Sequence, residues 1–326
     1  MFPGCQLERT LLPLQHRTED AMVGVDAGDD FAASVSRKSR RVMTYHWRAT
    51  GWRWTWIGLY SCFYVGAIVA IWFPSWSAAC AAIVMFWVSG CLGVTLGYHR
   101  LLCHSSFKVH RWTRYVLTVL GCTAFFGGPI EYVGMHRRHH QHADTQDDPH
   151  SPKCSLWWAH YEYFFAHHLI DWSRYARDLL RDPGIVAIDK LAIPIGFGAL
   201  AMLYAAGEIM FQSGLQWLLW AGPMRIVVAS HVGGAVNSWT HSAGYRNYDT
   251  PDDSRNSRLL GALSFGEGFH NNHHAYPRSA AHGMMRGEID VTYEIIKVLR
   301  KVHLAWDVVE PPAACRAKEF YSHARG

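Results

Sequence analysis

The stretch His136–His140, with the sequence HRRHH, decides how the chain is organised. Its three imidazoles stand at positions i, i+3 and i+4, which share one face of an α-helix, so the rings can converge on one point. The same spacing recurs in His270–His274, with the sequence HNNHH. Neutral imidazole is the commonest metal ligand in proteins. We therefore interpret both stretches as parts of a metal site.

Two further pairs join these stretches. His99 and His104 are five residues apart, too far for one α-helical face, so we predict a helix end between them. Asn237 and His241 stand at i and i+4, just after an apolar run, and share a face. The candidate ligands are His99, His104, His136, His139, His140, Asn237, His241, His270, His273 and His274.

The number and type of these ligands favour a pair of metals. Nine histidines exceed what one first-row metal uses, and they fit two metals with four or five nitrogen ligands each. Imidazole suits Fe, Zn, Cu and Ni alike. Structural zinc is saturated by four ligands, usually with some Cys. A redox pair of irons is therefore the better fit to this set.

The composition indicates a membrane protein with a large water-side part. Half of the 326 residues are hydrophobic, 14% are aromatic and 17% are charged, which is below the usual quarter. The mean hydropathy of −0.05 is too low for a bundle that lies wholly in lipid. The net charge of +5 comes from scattered residues, so we expect no nucleic-acid partner. The eight Cys contain no Cys-x-x-Cys pair, which argues against a zinc ribbon and a disulfide scaffold.

Four apolar runs predict an all-α membrane protein with four transmembrane helices in two hairpins. Each run has about 20 residues, enough to cross a core of roughly 30 Å. They cover residues 54–73, 76–96, 191–211 and 215–236, and very short links join them in pairs. The basic cluster Arg37–Arg41 precedes the first run and predicts a cytoplasmic N-terminus. Both termini and every histidine cluster then lie on the cytoplasmic side of a multi-pass protein.

Around these spans we predict a cytosolic helical cap that holds the metals. The predicted organisation is a disordered tail at residues 1–40, a domain at 41–310 whose cap comprises 97–187 and 237–310, and a tail at 311–326. Within the cap we expect an interfacial or re-entrant helix at 112–126, an amphipathic helix at 156–180 and a short helix at 293–302. In the second hairpin we expect an ion pair between Glu208 and Arg225, because charges in lipid must face protein.

The motifs resemble those of membrane fatty acyl desaturases, in particular the Δ9, stearoyl-type branch. The similarity extends from about residue 45 to residue 306. Its motifs are GYHRLLCH at 97–104, HRRHH at 136–140, DDPH at 147–150, NSWTHSAGYR at 237–246 and GEGFHNNHH at 266–274. The resemblance implies two irons at the cytoplasmic mouth of the bundle. It assigns His99, His104, His136 and His273 to one iron, with Asn237 through a water, and His139, His140, His241, His270 and His274 to the other.

The resemblance also implies the reaction and its partners. An O2-dependent dehydrogenation would leave a cis double bond in a saturated acyl chain held in a bent apolar tunnel. Ile83 and Trp87 are candidates for the tunnel floor, and Tyr132 for a substrate contact. No His-Pro-Gly-Gly stretch follows residue 275, so we expect a separate electron donor, either ferredoxin or a cytochrome b5-type protein.

The stretch before the second histidine box bears on the acyl carrier. The acyl-CoA branch has an Arg-Asp pair immediately before that box, whereas this chain has Gly134 and Met135. The pattern GGPIE at 127–131 looks more like bacterial and plastid enzymes that act on lipid-linked chains. We therefore expect an acyl-lipid substrate, with acyl-CoA as the alternative.

Two other functions remain open at this point. One is a membrane di-iron hydroxylase or alkane monooxygenase, which would insert oxygen. The other is a non-catalytic metal-binding or transport protein. The remaining histidines, among them His150, His160, His231 and His282, are interpreted as hydrogen-bonded or headgroup-facing residues.

Overall fold

The computed structural model describes residues 49–168 and 170–312 and is mostly helical. The predicted tail at 1–40 lies outside the described residues, as does the predicted C-terminal tail from residue 313 onward. A short strand β1 (Ala49–Trp52) leads into helix α1 (Trp54–Ala70). After Pro74, helix α2 (Trp76–Phe86) begins at Ser75, whose side chain accepts a hydrogen bond from the Ala78 N–H. Such a cap satisfies a donor that the first turn leaves free.

The hydrogen bonding of helix α2 changes from α-helical to π-helical after Phe86. The helix continues without a break into the π-helical segment π1 (Trp87–Cys103). The combined helix, Trp76–Cys103, is long and apolar enough to cross a membrane. π-Helical turns are rare and occur frequently at functional sites. This one ends at the first pair of candidate ligands.

The cap helices begin directly after π1. Strand β2 (Lys108–Val109), helix α3 (Arg111–Cys122) and helix α4 (Pro129–His142) follow in order. Helix α3 lies against π1 at Gly93 and Gly121, where a Cβ on Gly93 would lie 2.5 Å from the Gly121 nitrogen. This backbone approach requires glycine and fixes π1 against the cap. On helix α3, the Trp112 and Val116 side chains are exposed.

The prediction of one amphipathic helix at 156–180 is wrong, because that segment is divided into short elements. These are α5 (Leu156–His160), a 3-10 turn (Glu162–Phe165), β3 (Ala166–His168), α6 (Trp172–Tyr175) and α7 (Arg177–Leu180). Strand β3 pairs antiparallel with β1, and the Arg53 N–H donates to the Phe165 carbonyl at 2.7 Å. Residues 166–168, which helical periodicity alone would place in a helix, therefore form a strand because they pair with β1.

Residues 183–238 form one long helix and one kinked helical run. Helix α8 (Pro183–Lys190) leads to α9 (Ala192–Phe211), the second helix long and apolar enough to cross a membrane. The last run comprises α10 (Gly214–Leu219), a π-turn (Trp220–Met224) and α11 (Arg225–Ser238). Gly222 is non-helical and Pro223 follows it, which accounts for the kink.

The ion pair predicted between Glu208 and Arg225 is not formed. The Arg225 guanidinium is buried and donates to Ser89 Oγ and to the Thr123 and Ala221 carbonyls. Glu208 instead accepts from the Gly214 N–H at 3.0 Å, at the start of α10. The two side chains thus have different partners on different helices, and Arg225 Nη2 is buried without a hydrogen-bond partner.

The chain closes over the cap with three short helices. These are α12 (Arg258–Leu263), α13 (His270–Ala275) and α14 (Val291–Lys301), followed by β4 (Ala305–Trp306), which pairs with β2. Helix α14 matches the helix predicted at 293–302. Helix α11 continues past Val236 and is extended by a 3-10 turn (Trp239–His241), as the pairing of Asn237 with His241 required.

Candidate metal centre

The nine candidate histidines converge at the inner ends of four elements. They fall into two sets, and within each set one nitrogen of every ring lies within 4.8 Å of the others. The five-histidine position comprises His99, His104, His136, His140 and His273. The four-histidine position comprises His139, His241, His270 and His274. Neither set includes a Cys.

The π-helical geometry brings His99 and His104 together. In an α-helix, five residues advance by roughly 500°, which would leave the two side chains roughly 140° apart. In π1 the His104 N–H donates to the His99 carbonyl at 3.2 Å, and the two Nε2 atoms are 3.2 Å apart. His99 therefore lies on the helix and His104 at its end, as the spacing predicted.

Helix α4 contributes to both positions. His136 and His140 stand one turn apart, with Nε2 atoms at 2.9 Å, and His140 Nε2 is 2.8 Å from His273 Nε2. His139 points to the other side, where its Nε2 is 3.2 Å from His274 Nε2. His140 thus lies with the five-histidine set, whereas the resemblance implied that it joins His139. The rings of His140 and His274 are still only 4.4 Å apart, so His140 lies where the two positions meet.

Carboxylates face the Nδ1 atoms of four of these rings. The pairs are His99–Glu267 at 2.5 Å, His139–Asp148 at 2.9 Å, His241–Asp144 at 2.9 Å and His274–Asp252 at 2.8 Å. A carboxylate there holds the ring proton on Nδ1 and leaves the Nε2 lone pair for a ligand bond. Sequence reasoning missed all four acids, although Asp148 and Glu267 lie within the quoted motifs.

The arrangement of nitrogens fits bound transition metals. Within each set, Nε2 atoms face one another at 2.8–3.2 Å, and His241 Nε2 is buried without a hydrogen-bond partner. His139 and His274 both have a carboxylate on Nδ1, so their Nε2 lone pairs, 3.2 Å apart, would repel one another unless a cation lay between them. A cation in each set would be bound by imidazole nitrogens, which suit transition metals.

The ionisation of the rings suits the same purpose. Burial, reinforced by the neighbouring imidazoles, holds the pKa of six rings well below its usual value. These are His104, His136, His140, His270, His273 and His274. A metal binds only the neutral ring, so these side chains are in the ligating form at neutral pH.

An apolar cavity extends from the metal centre between π1 and α11. Near the histidines its wall includes His99, His136 and His270. Farther away it is lined by Phe86, Gly90, Val94, Ala229, Val232, Val236, Leu263 and Phe265. Asn237 also lines it and donates to the Tyr163 hydroxyl at 3.0 Å. Most such sites are concave and apolar with a few fixed polar groups.

The cavity corrects the residues predicted for the tunnel. Tyr132 lines it, as expected. Ile83 and Trp87 do not, because their side chains are 71% and 39% exposed on the outside of the helix. Phe86, Gly90 and Val94 repeat every four residues and form the inward face, while Ile83 and Trp87 lie on a neighbouring face.

Several other histidines are hydrogen-bonded or lie behind the ligands. His150 lies behind His139, and its backbone N–H donates to Asp148. Burial and the nearby His139 ring lower the pKa of His150 to about 3. His282 lies 3.2 Å from Glu267. His231 Nε2 is 2.7 Å from the Tyr64 hydroxyl, and His231 Nδ1 is 3.0 Å from His160 Nε2.

Comparison with known proteins is consistent with this site. The family model described as fatty acid desaturase matches residues 74–286. An sn-1 stearoyl-lipid 9-desaturase of Anabaena variabilis is 40% identical, over 75% of this chain and 89% of the relative. An sn-2 palmitoyl-lipid 9-desaturase of Nostoc sp. (strain 36) is 36% identical, over 80% and 91%. An acyl-CoA 5-desaturase of Anemone leveillei is 36% identical, over 76% and 77%. On these matches, the chain belongs to the fatty acid desaturase family.

Proposed function

We propose that this chain inserts a cis double bond at the Δ9 position of a saturated, lipid-linked acyl chain, using two irons and O2. It is an oxidoreductase of the desaturase type. The single observation that carries the proposal is the apolar cavity, whose inner wall is made of metal-facing histidines. A saturated acyl chain has no polar group near the reacting carbons for the protein to bind. An apolar cavity beside the metals can instead position one methylene for reaction.

The site residues divide the work between metal binding and positioning. The two irons, when bound by the nine histidines, supply the O2-dependent removal of two hydrogens. The overall reaction takes the CH2–CH2 unit, O2, two electrons and two protons to CH=CH and two waters. Phe86, Val94 and Val236 exclude water from the acyl chain, and Tyr132 and Asn237 are among the polar residues that line the cavity. Asn237 is suited to hold a water next to the five-histidine position.

Two observations support a lipid-linked substrate over acyl-CoA. Relatives in the Anabaena and Nostoc strains are named as acyl-lipid 9-desaturases. The acyl-CoA branch carries Arg at the position of Gly134. A Cβ on Gly134 would lie 2.6 Å from the Trp172 ring. An Arg side chain does not fit there without moving Trp172. A match to an acyl-CoA 5-desaturase keeps acyl-CoA as the competing substrate to be tested.

We further propose four membrane crossings, with both termini and the metal centre on the cytoplasmic side. The combined helix α2–π1 ends at the metal centre, and so does α11. These helices therefore run in the same direction, and α1 and α9 lead into them through short turns. The basic cluster at Arg37–Arg41 favours the cytoplasmic side. The two electrons come from a separate carrier, ferredoxin or a cytochrome b5-type protein.

The test is the fatty-acid profile of a membrane-bearing host that expresses the chain. We expect new cis-Δ9 monoenes, and none with the His139→Ala/His140→Ala variant. Separate analysis of the lipid and CoA pools after a short label identifies the carrier by which pool is desaturated first. Chains that retain oxygen as an alcohol would instead assign a hydroxylase. Iron binding with no change in chains, in the presence of a reduced donor, would assign a non-catalytic metal protein.

A further inference from the structure

We propose that the two metal positions are electrostatically unequal, so that iron at the four-histidine position is oxidised before iron at the five-histidine position. The inference rests on the proposed two-iron function. It concerns the charged side chains that surround the ligands, which differ sharply between the two sides of the centre.

At the five-histidine position, the carboxylate behind the ligand is paired with a cation. Glu267 Oε2 accepts from His99 Nδ1 at 2.5 Å. Its other oxygen, Oε1, accepts from Arg100 Nε and Nη2 at 3.2 and 3.1 Å. Arg100 is fully buried and also pairs with Asp290 at 2.9 Å. Arg100 is thus shared by two carboxylates, and the group formed by Glu267, Asp290 and Arg100 carries a net charge of −1.

At the four-histidine position, three carboxylates stand behind three ligands. Asp148, Asp144 and Asp252 contact His139, His241 and His274. In the described part of the chain, none of the three forms a salt bridge with a Lys or Arg side chain. The further hydrogen bonds that they accept come from neutral groups. Asp148 Oδ2 accepts from the Asp144 N–H, and Asp252 Oδ1 accepts from the Ser254 N–H. Asp144 Oδ2 accepts from the Asp253 N–H as well as from His241, and Asp144 Oδ1 is buried without a partner. These hydrogen bonds hold the carboxylates without cancelling their charge.

The difference in charge favours the higher oxidation state on one side. Oxidation raises the charge of an iron from +2 to +3, and nearby anions stabilise the product more than the reactant. The interaction is strong here because the groups are buried and poorly screened. Carboxylates behind ligating histidines also make the rings stronger donors. Asp148, Asp144 and Asp252 together carry a net charge of −3, whereas Glu267, Asp290 and Arg100 together carry −1. This difference places the first oxidation at the four-histidine position.

The test is a stepwise oxidation of the diferrous protein enriched in ⁵⁷Fe. One equivalent of ferricyanide accepts one electron, becomes ferrocyanide and leaves one Fe2+ and one Fe3+. Mössbauer spectra count the two states, and a mediated titration gives the two potentials. We expect two separate steps in the unaltered protein.

Asp252→Asn and Asp253→Asn form a matched pair that assigns the first step. Asp252 contacts His274, whereas Asp253 is half exposed and pairs with Lys153. We expect Asp252→Asn to make the first oxidation at least tenfold less favourable, which is ~59 mV for one electron, and to leave the second nearly unchanged. Asp253→Asn removes the same charge one residue away and should shift neither step by that amount. A shift confined to the second step, or equal shifts of both, would overturn the inference.

Arg100 provides an independent test from the other side. Arg100→Gln removes the cation behind Glu267, so the second oxidation should become easier and the two steps should move together. Arg100→Lys keeps the charge and should preserve their separation. If Arg100→Gln does not fold, the aspartate pair still decides. A protein that binds no iron pair contradicts the proposed function as well, whereas an active desaturase whose two irons respond alike contradicts only this inference.

Discussion

Replacing Gly90 with Leu should shorten the acyl chain that the protein accepts. Gly90 lies in the cavity wall, nine residues before His99 on the same helix. A Cβ at this position would lie 3.0 Å from the Phe265 ring on the opposite wall. A leucine side chain therefore has to occupy cavity space, because the ring facing it leaves no room elsewhere. The helix itself should tolerate the change, since leucine favours helix more than glycine does.

The size of the effect follows from the methylenes that lose their place. Burying one methylene is worth about 0.8 kcal/mol. Stearoyl and palmitoyl chains differ by two methylenes, so a cavity that no longer admits the last two loses about 1.6 kcal/mol of discrimination. At about 1.4 kcal/mol per factor of ten, the ratio of kcat/KM for stearoyl over palmitoyl substrates should fall about 15-fold.

The assay is desaturation of the two chains in competition, in membranes that carry equal amounts of each variant. Ile83→Ala and Trp87→Ala are the matched controls, because both side chains lie on the outside of the same helix. Both should leave the ratio unchanged. An equal loss for both chains in Gly90→Leu, or a comparable shift in Trp87→Ala, would refute the position that we give to the cavity.

Two further predictions concern the metal centre. Arg137 donates to the Cys103 and Leu102 carbonyls at the end of π1 and pairs with Asp178, so Arg137→Lys should lower metal affinity about tenfold; Asp178→Asn, which leaves the carbonyl bonds intact, should retain metal content by elemental analysis. The metal-free protein should lose stability as pH falls below about 6.5. In that range the histidines bind protons in the unfolded chain, whereas the six buried rings with lowered pKa stay neutral in the folded protein, so acid favours unfolding. His139 opposes this, since Asp148 raises its pKa against the effect of burial, but it is one ring against six. If the melting temperature of the metal-free protein were the same at pH 7.5 and pH 5.5, it would contradict the lowered pKa of these six histidines.

The ligand set was accessible from sequence because helical spacing fixes it locally. The separations within His136–His140 and His270–His274 place side chains on one face whatever the rest of the chain does. Both stretches are helical, and their rings meet. The grouping into two positions was less accessible. His140 and His136 stand one turn apart, and the choice of partner depends on His273, which arrives from a different helix.

The errors arose where distant segments set the local conformation. Residues 156–180 have helical periodicity, but pairing of β3 with β1 draws part of them into a strand. The face that the helix before His99 turns to the cavity depends on the contacts of π1 with α3 and Phe265. Trp87 was a candidate for the tunnel floor because it lies upstream of His99, but Gly90 lines the cavity instead. The unusual spacing of His99 and His104 was the one local sign of the π-helix.

The acids behind the ligands could not be found by the reasoning that found the ligands. The chain contains 26 Asp and Glu residues, and no periodicity separates Asp252 from its half-exposed neighbour Asp253. What distinguishes them is that a loop at 247–256 is held against α13, where Asn271 accepts from the Asn247 and Tyr248 N–H groups. That contact aims one carboxylate at His274 and leaves the next at the surface. Histidine spacing thus determines where metals can bind, while the folded loops determine the charge that surrounds each one, and so the order in which they are oxidised.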